Sequence, residues 1–336
     1  MEKITLKDIA ALTGYSVSTV SRSLNDNDRI PLETRNEIKE IAKQLNYTID
    51  INARNLSKKT SSTIGVFMQN DFFKLPHSTF TNIFWSTLHE EIQIKGYEPA
   101  LYLFSDTDDF KYKVSQLFNS GLIDGVIIFS KLLTNKEIEF LKEMKYPYSL
   151  LYYGPEKYSE EVFTADNYSS GKIITNFLIS RNLKSIATIT TDMTPSFKMR
   201  TLGYKHALEE AGIKFNESLV IKAIPSFENG VEIAHQLYKK LDEIDAIFSQ
   251  HDIWALGLIK GFTDLGVKIP EEISIIGHDN LAFKTWFSPV LTTFTIETKK
   301  ICIDAIESLI DDKIYKKRRI PIFKTLGTLV IGESVR

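Results

Sequence analysis

The first 45 residues read as three short amphipathic helices. Leu6, Ile9, Ala10 and Leu12 recur at helical spacing, which predicts one apolar face. Gly14 stands where that helix must stop and turn, a place for a residue without Cβ. Ser16 is then placed to N-cap a second helix, in which Val20 and Leu24 point towards a small core. Val17, Ser18, Ser21 and Arg22 fall on the other side. That outer face is small and hydroxyl-rich and carries one Arg. Such a face lets a helix backbone approach base edges in a major groove, with the Arg placed for a bidentate contact to guanine. On spacing alone, an ordinary helical hairpin with a solvated face stays open. A polar loop over 26–29 leads to a third helix over 32–45, with Ile38, Ile41, Ala42 and Leu45 inward. A core this small implies marginal stability in isolation.

A polar stretch over 57–62 reads as a linker, and the pattern changes after it. Apolar runs at 64–68, 99–104, 125–129 and 149–153 read as strands, with helices over 80–95 and 136–144 between them. A second series follows, with strands at 185–190, 219–223, 246–249 and 273–277 and helices over 169–181, 199–211, 229–241 and 254–265. A last strand is read at 326–331. This alternation predicts two doubly wound α/β lobes with parallel sheets. Ligands bind such folds at the carboxyl ends of strands, so two facing lobes imply a cleft.

Composition adds little to this picture. The 336 residues allow two or three domains, and 43% hydrophobic with 25% charged residues is an ordinary globular balance. The net charge of −2 does not announce a nucleic-acid partner, but residues 1–60 hold ten Lys or Arg against eight Asp or Glu. The single cysteine, Cys302, excludes an intrachain disulfide and lies in an apolar helical pattern, as a buried thiol in a reducing compartment would. Neither a signal peptide nor an apolar run long enough for a membrane span is read, so a cytoplasmic protein is expected.

Residue identity sharpens the reading. TLKDIA, Gly14-Tyr15-Ser16 and STVSRSLN at 18–25 closely resemble the N-terminus of the LacI/GalR (lactose-repressor) family of transcription regulators. The resemblance runs over essentially the whole chain, through Asp166-Asn167 with Gly171, Arg200 with Gly203-Tyr204, and Asp252 with Ala255-Leu256-Gly257. It continues in Pro270, residues 273–277, Asp279-Asn280 and Pro289 with Leu291-Thr292-Thr293. It implies an N-terminal all-α helix-turn-helix head (1–47), a hinge helix and linker (48–62), and an α/β core (63–336) of two doubly wound parallel-sheet lobes like periplasmic binding proteins. The first lobe would take 63–162 and 292–321, and the second 163–291 and 322–336, with crossings near 162–165, 289–293 and 320–324. The implied function is sequence-specific DNA binding as a homodimeric repressor on a palindromic operator. A small molecule between the lobes would control affinity; a sugar or sugar derivative is favoured, a purine remains open, and so does the sign of its action. No apolar heptad tail follows the last strand, so a dimer is the expected assembly.

The resemblance also implies the contacts. Thr5, Leu6, Ser16, Val17, Ser18, Thr19, Ser21, Arg22, Asn25, Arg29 and Thr34 would face DNA, with Tyr47, Ala53 and Leu56 from the hinge. Leu56 would be the minor-groove wedge. Ile49 and Asp50 stand where the family usually has Pro and Asn, which puts hinge folding in question. For the effector, Arg200 would open a helix after a polar loop and present a donor fork suited to oxygen-rich ligands. Asp279 follows a strand end and would accept from ligand hydroxyls, and Asp252, also expected at the effector, follows another strand end in the same lobe. Ser130, Phe72, Phe73, Phe227 and Trp286 complete the expected pocket. His251 and His278 depart from the usual Asn and aromatic residue; His251 is expected to change hydroxyl preference and His278 to pack. Structural ion pairs for Arg200 and Asp279, and core roles for the aromatics, are the plain alternatives.

Rival functions have weaker footing. A sugar kinase would need a phosphate-cradling glycine loop, and neither a Walker-type loop nor a GxGxxG follows the first strand. No nucleophile, base and orienter stand together, too few ligands converge for a metal, and no cofactor is expected. A plain solute-binding protein would not carry the N-terminal head.

Overall fold

The computed structural model describes residues 4–45, 47, 61–71, 79–130, 132–151, 162–314 and 323–336. The expected hinge helix with Ala53 and Leu56, and the aromatics Phe72 and Phe73, lie outside the described residues. The chain divides into two compact units, Met1–Ser61 and Ser62–Arg336.

In the first unit, helices α1 (Leu6–Thr13), α2 (Val17–Leu24) and α3 (Leu32–Gln44) surround Ile9, Val20, Ile38 and Ala42. Leu6, Ala10, Leu24, Ile41, Leu45 and Tyr47 pack against that core from its edge. Leu12 departs from expectation and is 65% exposed. Six residues beyond Leu6, it has rotated about 120° off the inner face at 3.6 residues per turn. Thr13 sits nearer the core, its hydroxyl donating to the Ile9 carbonyl at 2.8 Å.

The second unit alternates strands and helices. Its first run is β1 (Thr63–Gln69), α4 (Thr79–Ile94), β2 (Glu98–Phe104), α5 (Thr107–Asn119), β3 (Gly125–Phe129), α6 (Asn135–Glu143), β4 (Tyr148–Leu151) and β5 (Val162–Ala165). The second is α7 (Asn167–Ser180), β6 (Ile186–Thr190), α8 (Pro195–Glu210), β7 (Val220–Lys222), α9 (Phe227–Tyr238), β8 (Ala246–Ser249), α10 (Asp252–Asp264) and β9 (Ser274–Ile276). The chain closes with β10 (Thr293–Thr295), α11 (Thr298–Ile314), β11 (Phe323–Thr325) and β12 (Thr328–Val330).

Two parallel sheets result, in the orders β11-β5-β4-β3-β1-β2 and β7-β6-β8-β9, with β10 and β12 paired antiparallel. The central strands β1, β3, β6 and β8 are buried on both faces, while the edge strands β2 and β7 are partly exposed. In β1, Ile64, Val66 and Met68 meet α4 and α11, while Phe67 meets α5 and α6. In the second lobe Ala187 and Ile189 face α9 and α10, and Ile186 faces α7 and α8. Cys302 is fully buried in α11, where burial pushes its thiol far above the usual range.

The lobe boundaries fall slightly later than expected. β5 and β11 pair with each other in the six-stranded sheet, so residues 163–165 and 323–325 belong to the first lobe's sheet. Phe294 of β10 packs in the second lobe. Two helix starts also move. Pro195 opens α8, its fixed φ and missing N–H fitting a helix's first position. Arg200 therefore lies in the second turn of α8 and does not open it. α10 begins at Asp252, with His251 as its cap.

α7 and α8 approach so closely that a Cβ on Gly171 would come within 2.2 Å of the Arg200 carbonyl oxygen. Gly171→Ala forces the helices apart and is expected to cost roughly 1–3 kcal/mol. Urea unfolding measures this, and an unchanged midpoint would contradict the packing.

Candidate functional site

The head offers one solvent-facing surface on α2. Ser16 caps it, its Oγ accepting from the Thr19 N–H at 3.1 Å, and Gly14 reverses the chain before it at φ 73°. Val17 (41% exposed), Ser18 and Arg22 stand outward, with Arg22 in the last turn. Ser16, Ser18 and Thr19 share hydroxyl contacts of 2.8 and 2.9 Å, so the start of this face is preset. Thr5 closes a capping box with Asp8 on α1. Ser21 and Thr34 are half-buried and Arg29 is exposed. Three expected DNA contacts have structural work as well. Leu6 and Tyr47 pack on the core, and the Asn25 amide donates to the Ser21 carbonyl at 2.8 Å, closing α2. The acidic loop is neutralised within the head, since Arg35 reaches Asp28 and Lys39 reaches Asp26.

In the second lobe, Arg200, His251, His278 and Asp279 form one contiguous group. Arg200 is 6% exposed. Its Nε donates to Asn167 Oδ1 at 3.0 Å, its Nη1 donates to the Gln250 carbonyl, and its guanidinium lies 4.6 Å over the Phe197 ring. A polar network of Thr188, Thr190, Thr201 and the Gln250 amide lies behind it. The next residue, His251, caps α10 by accepting the Ile253 N–H on Nδ1 at 3.1 Å. A ring nitrogen that accepts carries no hydrogen, so the neutral tautomer has its hydrogen on Nε2. That Nε2 stands 3.6 Å from Asp279 Oδ2.

Asp279 sits in left-handed backbone, φ 109°, followed by Asn280 at φ 54°. Such a conformation costs about 1–3 kcal/mol and persists only when its surroundings impose it. Here the Asp279 N–H donates to the Phe294 carbonyl at 2.9 Å and the Leu281 N–H to Asp252 Oδ2 at 2.8 Å. His278, expected only to pack, does more: it stacks on Phe294 and its Nδ1 lies 2.7 Å from Asp279 Oδ1. Burial alone would raise the Asp279 carboxyl; the imidazoles of His251 and His278, then the Arg200 charge, reverse that and hold it below its ordinary value. Burial and the Arg200 charge pull His278 down to about 4.

Asp252 corrects the expected ligand set. It is fully buried, with Oδ2 accepting from Leu281 and Oδ1 from the Thr293 hydroxyl at 2.6 Å. Both oxygens are committed inside the protein, so it clamps the 279–281 turn. A Cβ on Gly277 would collide with its Oδ1 at 2.1 Å. Burial, followed by the Asp279 carboxylate, pushes Asp252 up to about 8, against the Thr293 and Leu281 hydrogen bonds. Of the other expected ligand contacts, Ser130 is buried at the end of β3, its Oγ accepting from the Leu132 N–H at 3.0 Å. Phe227 opens α9 half-buried, 5.9 Å from the Phe287 ring. Trp286 stands 83% exposed beside Phe283. Asn167 and Gln250 were absent from the expected contacts, because only the fold brings them to Arg200. Among the described residues no trio of His, Cys, Asp or Glu is arranged to hold a metal ion.

Comparison with known proteins gives two family matches. Residues 5–50 match bacterial regulatory proteins of the lacI family, and residues 175–335 match the periplasmic binding protein-like domain. The HTH-type transcriptional repressor PurR of Vibrio atlanticus (strain LGP32) is 28% identical over 323 residues, 94% of each chain. The Lac repressor dimer bound to operator and the anti-inducer ONPF superposes with TM-score 0.82 at 19% identity, covering 99% of both chains. The transcriptional regulator CelR–cellobiose complex gives TM-score 0.69 at 22% identity, covering 99% of this chain and 100% of that one.

The raised Asp252 carboxyl has a pH consequence. Its folded value lies above its unfolded one, so the stability it contributes is present at low pH and is lost as pH rises towards about 8. Asp252→Asn removes that loss. From pH 6.5 to 8 the variant should gain on the wild type by up to about 1.4 kcal/mol per pH unit. Parallel urea midpoints across this range would show that Asp252 is ionised in the fold.

Proposed function

Because this chain belongs to the lacI family of bacterial regulatory proteins, we propose that it represses transcription as a cytoplasmic homodimer whose affinity for a palindromic operator is controlled by a neutral sugar in the cleft of the core. DNA-binding regulators, and not enzymes, make up this family. No helix among the described residues is long and apolar enough to cross a membrane. The observation that carries the DNA-binding half is the outer face of α2. Small side chains stand outward from a helix whose start is fixed by the Ser16 cap, with Arg22 free of the head's core.

Within this reading Val17, Ser18 and Arg22 meet base edges. Thr5, Ser16, Thr19, Ser21, Arg29 and Thr34 meet the backbone, which positions a reader but carries no sequence information. The hinge residues Ala53 and Leu56 take the minor groove. In the core, Arg200 donates to the ligand, Asp279 accepts from its hydroxyls, and His251 Nε2–H adds a donor beside Asp279. Phe72, Phe73, Phe227 and Ser130 line the pocket. The neutrality of the ligand rests on charge balance: Arg200 is offset by Asp279, and Asp252 and His278 are held towards their uncharged forms. The cellobiose in the CelR complex is a ligand of this kind. A purine base satisfies the same donors and acceptors and is the second reading.

Operators selected from random DNA allow the first test. Arg22→Ala is expected to lose about 1–3 kcal/mol of discrimination between selected and scrambled sites, read by fluorescence anisotropy. Undiminished discrimination would remove Arg22 from base reading. The second test is thermal stabilisation by neutral mono- and disaccharides, purine bases and sugar phosphates. A neutral ligand should raise the melting temperature by mass action, and Arg200→Ala should abolish that rise while operator binding persists. A rise confined to sugar phosphates, or one surviving in Arg200→Ala, would overturn the ligand assignment.

A further inference from the structure

The first crossing between the lobes is one residue long. β5 ends at Ala165, paired with Thr325 in the first lobe's sheet, and α7 starts at Asn167 and packs in the second lobe through Ile174 and Leu178. Asp166 lies between. Its N–H donates to the Thr325 carbonyl at 2.9 Å, and its carboxylate caps α7 by accepting from the Ser169 N–H at 3.0 Å and hydroxyl at 2.7 Å. Asn167, 7% exposed, then reaches both ways. Its Nδ2 donates to the Ala165 carbonyl at 3.1 Å, and its Oδ1 accepts from Arg200 Nε at 3.0 Å.

We propose that Asn167 is the positioning residue of the ligand site: it sets the orientation of Arg200 and ties that arginine to the last residue of β5 at the first lobe crossing. The orientation of its amide is determined by its partners. A guanidinium has no acceptor, so the amide oxygen must face Arg200, and the Ala165 carbonyl has no hydrogen, so the NH2 must face it. Both bonds are buried, so neither group has water to turn to when its partner moves. A ligand that draws the Arg200 fork towards the cleft therefore turns the Asn167 amide and loads the Ala165 carbonyl. By linkage, a change at the crossing alters the fork offered to the ligand. This rests on the reading of Arg200 as a ligand contact.

Two variants separate the two bonds. Asn167→Ala removes both. Asn167→Asp keeps an acceptor for Arg200 but loses the donor to Ala165. Both are made in the full chain and read without ligand. The first readout is water exchange at the Arg200 Nε–H, observed by nuclear magnetic resonance and assigned by its loss in Arg200→Ala. The second is the interlobe distance distribution between spin labels at Tyr112→Cys and Tyr238→Cys, both exposed positions, with labelled chains diluted among unlabelled ones. Arg200 Nε–H exchange is expected to be slow in wild type and in Asn167→Asp, and about tenfold faster in Asn167→Ala. The distance distribution is expected to broaden in both variants. A merely structural Asn167 would lower the melting temperature without separating exchange from lobe distance in this way. Unchanged exchange in Asn167→Ala, or a wild-type distance distribution in Asn167→Asp, would overturn the proposal. Should Asn167→Ala not fold, the distance distribution of Asn167→Asp decides alone. None of these measurements uses a ligand, so their failure leaves the role of Arg200 to the thermal-shift test.

Discussion

A guanidinium cannot be taken out of water unless other acceptors replace its hydration. Arg200 is buried, and the second lobe is arranged around meeting that demand. Asn167 and the Gln250 carbonyl accept from it, the Phe197 face covers it, and Asp279 supplies the opposite charge nearby. Each partner comes from a different element: the start of α7, the end of β8, α8 itself and the turn after β9. A buried charge of this kind sets registry. Displacing α7 or the end of β8 leaves an Arg200 donor without its acceptor, so these two are held in one arrangement with α8.

The same constraint explains why two neighbouring carboxylates differ. Asp252 and Asp279 follow strand ends in the same lobe and look alike in the sequence. Asp279 faces Arg200, His251 and His278 and remains an anion. Asp252 faces the Leu281 N–H and the Thr293 hydroxyl, has no arginine, and is pushed towards its neutral form. Their division of labour follows: one carboxylate holds the turn, and the other is presented by it. The left-handed backbone at Asp279 and Asn280 makes that presentation possible, because an extended continuation of β9 would carry the side chain elsewhere.

This division marks the limit of what the sequence discloses. The sheets are legible because the central strands are covered on both faces, so β1 and β3 are mainly apolar runs and β6 and β8 are short, small-residue and apolar ones. The head is legible because Gly14, Ser16 and the Val20–Leu24 spacing are local signals. α5 is harder to read, since only Phe110 and Val114 are fully inward and its Asp106 cap is a single residue. Helix starts shift by a few residues where caps decide them, as at Pro195 and His251. The wiring of the site is not legible at all. Asn167 and Arg200 are 33 positions apart and Arg200 and Gln250 are 50 apart, and no periodicity links them. Trp286, an aromatic near Asp279 in the chain, stands exposed on the short turn over 282–286.

His251 shows how a departure in residue type is absorbed by the fold. A cap must accept a backbone N–H, and histidine does so only on an unprotonated ring nitrogen. Capping α10 with Nδ1 therefore selects one neutral tautomer and turns Nε2–H towards Asp279. An asparagine cap would use its carbonyl oxygen and leave an NH2 closer to the main chain. The imidazole carries its donor further out, to 3.6 Å from the carboxylate, too long for a good hydrogen bond. A hydroxyl bridges such a pair, accepting from Nε2 and donating to Oδ2, and a group that only donates or only accepts satisfies half of it. The start of a helix thus fixes the tautomer of His251, and protonation of Nδ1 would abolish that tautomer together with the cap.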